Sequence, residues 1–283
     1  MSVVPTDPTA QTLRLPDGRS LGFADYGTPT GVPMLFLHGQ PGSRLIGALM
    51  DGAAREVGVR LIAVDRPGIG LSDSVGERTH SQFAGDLSGA LEVLGLGPTP
   101  IVAWSAGGAY ALAWAAARPE LVPAVGVLGG VGPGGALDGA WSALKNRLGV
   151  PTGVLKMPAE AWSVTLSRTW LKTRSAAGER VELATDVAPI LARGFREGVR
   201  QGTAAARLET RLLGGDWDFD PATVRVPVWL WHGKDDALVP WSQTRELAAR
   251  IPDARSTLIP GEGHVSLLVN HGAEILTTML RTG

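Results

Sequence analysis

Pro-Ile-Val-Ala-Trp-Ser-Ala-Gly-Gly-Ala-Tyr-Ala-Leu-Ala-Trp-Ala-Ala-Ala, residues 100–117, is the most informative stretch of this sequence and contains no charged side chain. Its β-branched beginning predicts a buried strand over residues 100–104, and the small residues that follow predict a helix over residues 106–117. Ser105 then lies on a sharp strand-to-helix turn, where small residues two positions away let strand and helix approach. A serine in such a turn is a candidate nucleophile, and the alternative is that it caps the helix that follows.

On both sides of this stretch, short apolar strands alternate with helical segments. An alternating pattern at residues 13–26, with a turn at Asp17 and Gly18, predicts one antiparallel hairpin. Strands apolar on both faces that alternate with helices predict an α/β fold with a mostly parallel sheet covered on both sides. The predicted strands are residues 33–37, 60–64, 100–104, 124–128, 226–231 and 256–259, and the predicted helices are residues 44–57, 79–94, 106–117, 241–251 and 272–281.

The alternation stops between residues 132 and 215, where four helical stretches but no convincing strand can be found. These stretches are residues 136–148, 159–173, 178–200 and 203–213. The strands that follow need the first sheet to pair with, so we predict one core, residues 1–131 and 216–283, and a helical cap, residues 132–215, inserted into it.

Composition excludes several classes of function. The chain has no cysteine, which removes disulfides, thiolate metal sites and a thiol nucleophile. Its 26 basic residues balance 27 acidic ones without a basic block, so neither nucleic acid nor a membrane is the expected partner. No metal-ligand spacing or dinucleotide motif is present, so we expect no metal and no cofactor. The expected partner is a small-molecule substrate. Because the sequence shows no leader peptide, the protein is expected in the cytoplasm. The sequence does not predict the oligomeric state.

The unusual residues of this sequence lie where the predicted strands end, at residues 37–43, 65–70, 104–108, 232–240 and 260–264. With these motifs the chain resembles the α/β-hydrolase superfamily over its whole length apart from the insertion. The resemblance implies an α/β-hydrolase fold with a catalytic serine, acid and histidine that follow in this order. Ala103 stands where the family usually has the first glycine of its Gly-x-Ser-x-Gly motif, and Gly107 keeps the second.

His264 is the histidine that the resemblance favours as general base. It lies in a glycine-flanked loop after the last predicted strand and follows Ser105 in the family's order. His38 lies in the loop after the first parallel strand, and in the family a histidine at this place typically stabilises that loop. A structural role is expected for His232, which ends a strand, and for His80 and His271.

Two adjacent carboxylates compete for the role of the acid that orients His264. Residues 233–240 match the family pattern Gly-x-x-Asp-x-x-Val-Pro with Asp236 at the acidic position. Asp236 is therefore the predicted acid, and Asp235 is the alternative. The Asp65-Arg66 loop, which also carries charged residues, is expected by resemblance to tie neighbouring loops together.

Stabilising a developing oxyanion needs two backbone N–H donors. Ala106, directly after the nucleophile, supplies one from the beginning of a helix, where N–H groups have no partner within the helix. In His-Gly-Gln-Pro-Gly, residues 38–42, the proline has no N–H, so Gln40 is the predicted second donor. Trp104, and Trp141 in the insertion, are candidates for the wall of a substrate pocket, although each could instead belong to the core.

Together these residues predict a serine hydrolase that acts on an ester, a lactone or a related acyl bond of a small, partly apolar molecule. A carboxylic-ester hydrolase is the expected class, and the sequence does not identify the substrate. The alternatives are a C–C bond hydrolase and a non-hydrolytic protein of the same fold, either a ligand receptor or a cofactor-free tailoring enzyme or cyclase.

Overall fold

The structure, a computed structural model, describes residues 7–134 and 187–282. Within them, strands form one eight-stranded sheet in the order β1-β2-β4-β3-β5-β6-β7-β8. The hairpin β1-β2 is antiparallel and pairs with β4, and every other neighbouring pair is parallel. The strands are β1 Gln11–Arg14, β2 Ser20–Gly27, β3 Val32–Leu37, β4 Val59–Val64, β5 Ile101–Trp104, β6 Val125–Leu128, β7 Val228–Gly233 and β8 Ala254–Ile259.

Helices cover both faces of this sheet. A 3-10 segment, Arg44–Met50, leads into the first α-helix. The α-helices of the described residues are α1 Asp51–Val57, α2 Phe83–Leu94, α3 Gly107–Ala117, α4 Val187–Gly198, α5 Ala204–Gly214, α6 Ser242–Arg250 and α7 Ser266–Thr282. The mostly parallel, doubly covered sheet predicted from the sequence is confirmed.

The core follows the two-residue period of the strands. In β3, Leu35 and Leu37 point to the face covered by α2, α3 and α6, whereas Met34 and Phe36 point to the face covered by α1, α4 and α7. All four side chains are completely buried. Because β3 to β8 are parallel, the polar residues that follow these strands lie at the same edge of the sheet.

Some boundaries differ from those predicted. Helix α7 begins at Ser266, six residues before the predicted start at Gly272. Gly272 lies inside the helix, where a Cβ atom would come 3.0 Å from Cβ of Ala53 in α1, so its lack of a side chain lets two helices pack closely. Helix α2 begins at Phe83 rather than at residue 79.

The predicted insertion is only partly described. Its last two helical stretches correspond to α4 and α5, while residues 136–148 and 159–173 lie outside the described residues. In the part of the chain that the structure describes, no helix is both long enough and apolar enough to cross a bilayer.

Candidate active site

Ser105 occupies the turn between β5 and α3 in a strained backbone conformation. Its φ angle is 55°, and among the described residues it is the one non-glycine residue with a positive φ. Its N–H donates to the carbonyl of Leu128 in β6 at 2.8 Å, which ties the turn to the sheet. A Cβ atom on Gly107 would lie 2.5 Å from the carbonyl oxygen of Leu37, so a glycine is needed where α3 starts. The sheet therefore fixes the predicted nucleophile at the carboxyl end of a central strand.

His264 and Asp236 meet after the last two strands. Nδ1 of His264 lies 2.6 Å from Oδ2 of Asp236, and both side chains are buried. The other carboxylate oxygen, Oδ1, accepts the backbone N–H groups of Leu238 and Val239 at 2.8 and 2.9 Å. Because a carboxylate can only accept, Nδ1 of His264 carries the proton, and Nε2 is the nitrogen with the lone pair that the predicted general base would use.

His232 is a second histidine on the same carboxylate. Its Nε2 lies 3.1 Å from Oδ2 of Asp236 and 2.9 Å from the carbonyl of Val239, so Nε2–H is the donor, and Nδ1 lies 2.7 Å from the hydroxyl of Thr244. Burial alone would raise the pKa of Asp236. His264 and His232 outweigh burial and hold the pKa of this carboxyl well below its usual range.

Asp235, the alternative acid, lies elsewhere. It is exposed, and its backbone N–H donates to the carbonyl of Glu262 at 3.0 Å. The structure thus brings Asp236, and not Asp235, to His264. The contact of His232 was not predicted, although its position at the end of β7, four residues before Asp236, was a usable signal.

The two predicted oxyanion donors belong to two segments of chain next to Ser105. Ala106 precedes the first residue of α3. The loop after β3 lies against the nucleophile, because a Cβ atom on Gly39 would come 3.0 Å from Cβ of Ser105. Within the described part of the chain, the backbone N–H groups of Gln40 and Ala106 donate to no protein acceptor.

Trp104 supports the histidine. Its indole N–H donates to the backbone carbonyl of His264 at 2.9 Å, and the two rings lie 5.0 Å apart. Only 2% of Trp104 is exposed, so the structure places it chiefly behind His264, and its contact with substrate stays a prediction. Trp141, the other predicted pocket residue, lies outside the described residues.

The charged loop after β4 connects its neighbours, as expected. Asp65 binds Arg44 through an ion pair of 2.7 Å, and Arg66 donates to the backbone carbonyls of His38 and Gly39. The partner of Arg66 is Glu209 in α5, with N–O distances of 2.6 and 2.9 Å.

Glu209 was not predicted. Its signal in the sequence was its place four residues before Leu213, on the buried side of α5. Burial alone would raise the pKa of Glu209, but the guanidinium groups of Arg66 and Arg78 outweigh it and lower the pKa to about 2. The carboxylate is therefore charged at neutral pH although it is buried.

Comparison with known proteins identifies the fold family of this chain. A family model described as the α/β hydrolase fold matches residues 32–271. The non-heme haloperoxidase of Rhodococcus erythropolis is 28% identical over 90% of this chain and 92% of its own length. The pimeloyl-[acyl-carrier protein] methyl ester esterase of Chromobacterium violaceum is 26% identical over 84% of this chain and 89% of its own.

Solved structures show the same fold at lower identity. The bromoperoxidase of Bacillus anthracis superimposes with a TM-score of 0.73 at 24% identity, over 96% of this chain and 100% of its own. An esterase from Exiguobacterium antarcticum gives a TM-score of 0.72 at 18% identity, over 96% of this chain and 98% of its own. With a family model that spans most of the chain and a sheet of matching topology, the protein belongs to the α/β-hydrolase fold family.

Proposed function

We propose that the protein is a serine hydrolase that cleaves a carboxylic ester or lactone of a small, partly apolar molecule. The observation that carries this proposal is the 2.6 Å contact between His264 and Asp236. This pair lies close to the strained Ser105, because the indole of Trp104, the residue before Ser105, donates to the backbone carbonyl of His264. A serine on such a turn, a histidine held in one tautomer and a buried carboxylate are the groups that acyl transfer requires.

The proposed reaction has two half-reactions. Oγ of Ser105 attacks the acyl carbonyl while Nε2 of His264 takes the hydroxyl proton, and the N–H groups of Gln40 and Ala106 bind the oxyanion. His264 then gives this proton to the leaving alcohol, which departs and leaves an acyl-enzyme. Water attacks the acyl group by the same route, which releases the acid and restores Ser105. Asp236 keeps the imidazole oriented and stabilises its charged form.

The curated relatives favour an ester over other acyl substrates. One is named a methyl ester esterase, and another is the sn-1-specific diacylglycerol lipase of Mus musculus, 26% identical over 84% of this chain. Others are named haloperoxidases and a proline iminopeptidase, so the ester is part of the proposal and not of the family assignment.

We also propose that residues 132–215 form a cap that governs which substrate reaches Ser105. Two hydrogen bonds support the view that this segment leaves the core and returns to it at the same place. The N–H of Gly134 donates to the carbonyl of Gly215 at 3.2 Å, and the N–H of Gly132 donates to the side chain of Gln243 at 3.0 Å. A segment whose two ends meet can be inserted without disturbing the sheet.

Hydrolysis of p-nitrophenyl acetate by matched serine variants tests the proposed activity. Ser105→Ala should lower kcat/KM by about 10³-fold or more, because the proposed acyl-enzyme forms on Oγ of Ser105. Ser256→Ala, which changes an exposed serine of β8, should leave kcat/KM unchanged. Equal cleavage by Ser105→Ala and the unaltered protein would reject the proposal, and no cleavage by either would favour a receptor or another non-hydrolytic role.

A further inference from the structure

The loop after β3, residues 38–43, here named the oxyanion loop, is held by a buried charge network. The carbonyl of Gly39 lies 2.8 Å from Nδ1 of His38 and accepts a hydrogen bond of 3.3 Å from Arg66, which also donates to the carbonyl of His38. Two of the loop's carbonyls are thus bound by one guanidinium group. This arrangement limits how the loop's peptide groups can rotate.

Arg66 is itself fixed from α5. The carboxylate of Glu209 accepts from Nε and Nη2 of Arg66 in a two-point pair, and its Oε1 also accepts from Arg78 at 2.8 Å. Arg66 is completely buried and Glu209 is 1% exposed, and the guanidinium lies 5.0 Å from the centre of the Tyr110 ring. Two parallel hydrogen bonds set the plane of a guanidinium as well as its position.

The geometry of a peptide group connects this network to catalysis. The carbonyl of Gly39 and the N–H of Gln40 belong to one planar unit and point in opposite directions. A donor that fixes the carbonyl therefore also fixes the direction of the N–H. The same helix holds Gln40 from its other side, because the side-chain amide of Gln40 donates to Thr210 at 2.9 Å and to the carbonyl of Ala206.

We propose that Glu209 is a positioning residue for the oxyanion hole, acting through Arg66 on the peptide between Gly39 and Gln40. Glu209 touches no reacting atom; it orients the guanidinium that aims the Gln40 N–H at the developing charge. The inference rests on the proposed hydrolase function and extends it to α5. Since a donor to the oxyanion gains strength mainly in the transition state, loss of Glu209 should lower kcat more than it changes KM.

Glu209→Gln is the direct test, since it keeps the size of the side chain and one acceptor oxygen but removes the charge. With p-nitrophenyl acetate, we expect kcat to fall by about 10- to 100-fold while KM changes by less than about 2-fold. Glu197→Gln is the matched control, because Glu197 in α4 pairs at 2.8 Å with Arg44, which binds no carbonyl of the oxyanion loop. Its kcat should stay within about 2-fold of the unaltered protein's value.

A transition-state mimic separates positioning from a general effect on stability. An aryl trifluoromethyl ketone, whose carbonyl accepts Oγ of Ser105 and becomes an oxyanion, should bind Glu209→Gln more weakly by about the factor lost in kcat/KM. The double variant Arg66→Gln/Glu209→Gln should be no less active than Arg66→Gln alone, because Glu209 acts through Arg66. If Glu209→Gln does not fold, Glu209→Asp replaces it, with an expected loss in kcat of several-fold.

Unchanged kcat and unchanged ketone binding in a folded Glu209 variant would overturn the inference. An equal loss of kcat in Glu197→Gln would also overturn it. The loss would then be a general result of breaking an ion pair between a helix and the core, and not specific to the pair of Glu209 and Arg66. The proposed hydrolase function fails by a different result, namely full activity of Ser105→Ala. The two failures are therefore distinguishable.

Discussion

Ser105 combines a predicted catalytic position with a costly backbone conformation. A left-handed backbone costs a non-glycine residue about 1–2 kcal/mol, and the surrounding sheet has to hold it there. The N–H of Ser105 bound to Leu128, and the absence of side chains on Gly39 and Gly107, show how the neighbours accommodate this turn. A serine thus stands at a place where glycine would be more stable, which is consistent with the proposed role of its hydroxyl group.

Two inactive variants measure this strain. Ser105→Gly should have a free energy of unfolding about 1 kcal/mol higher than that of Ser105→Ala, because glycine adopts positive φ without a steric penalty. Urea unfolding of both proteins gives the difference. A Ser105→Ala protein as stable as Ser105→Gly, or more stable, would show that the turn is unstrained.

The two adjacent aspartates give a second prediction. Asp236→Asn should lower kcat/KM for p-nitrophenyl acetate by about 10³- to 10⁴-fold, because an amide no longer favours the productive tautomer of His264. Asp235→Asn changes an exposed side chain and should stay within about 2-fold. A larger loss in Asp235→Asn than in Asp236→Asn would reverse the assignment of the acid.

The residues that a sequence reveals are those whose signal is local. Ser105 stands out through its small neighbours, and Asp236 and His264 through the loops that follow two strands. Glu209 and Arg66 are 143 positions apart, so their pairing depends on how α5 packs on the core. The spacing of Glu209 and Leu213 places the carboxylate on the buried side of α5, but no motif along the chain predicts that its partners are Arg66 and Arg78.

Helix α3 lies unusually close to the sheet, and glycines at its start make this possible. A Cβ atom on Gly107 would lie 2.5 Å from the carbonyl oxygen of Leu37, and one on Gly108 would lie 2.6 Å from Cγ1 of Val127. The close approach places the beginning of the helix, with its unpaired N–H groups and positive dipole end, beside Ser105.

A pair of glycine substitutions tests this packing. Gly107→Ala should lower the free energy of unfolding by about 1–3 kcal/mol, because a backbone carbonyl cannot move aside as a flexible side chain can. Gly85→Ala, in α2 with nothing within 4 Å of the added atom, should raise the free energy by up to about 1 kcal/mol. Thermal or urea unfolding measures both. A neutral Gly107→Ala would mean that the helix can move away from the sheet without cost.

The alternation of strands and helices was predictable because apolar periodicity is repeated in every unit, whereas element boundaries depended on contacts between helices. Gly272 illustrates this. A glycine near a helix end usually indicates a boundary, but here it allows α7 to pack on Ala53 of α1.

Across the molecule, several titratable groups are buried in a way that makes the fold sensitive to acid. Burial lowers the pKa of His38 to about 3 and that of His80 to about 4. The unfolded chain therefore binds protons on these histidines below about pH 6.5, while the folded chain does not. Glu209 and Asp236, whose pKa values are lowered, add to this loss of stability below about pH 4.5. The free energy of unfolding should accordingly have its full value near pH 7 and decrease as the pH is lowered.

The part of this decrease that comes from His80 can be measured separately. Between about pH 6 and 4.5, His80→Gln should show a dependence of the unfolding free energy on pH that is smaller by up to about 1.4 kcal/mol per pH unit. His271→Gln is the control, because His271 is partly exposed at the surface. Urea unfolding at several pH values gives the slopes. Parallel slopes for His80→Gln and the unaltered protein would contradict the assignment.

The central claim, that Ser105 is a nucleophile activated by His264 and Asp236, is tested most directly with a fluorophosphonate and mass spectrometry. The protein should gain the mass of one phosphonyl group on the peptide that contains Ser105. Ser105→Ala should gain none, and Asp236→Asn should react much more slowly. Absence of the adduct, or an adduct on another residue while Ser105 stays unmodified, would contradict the account.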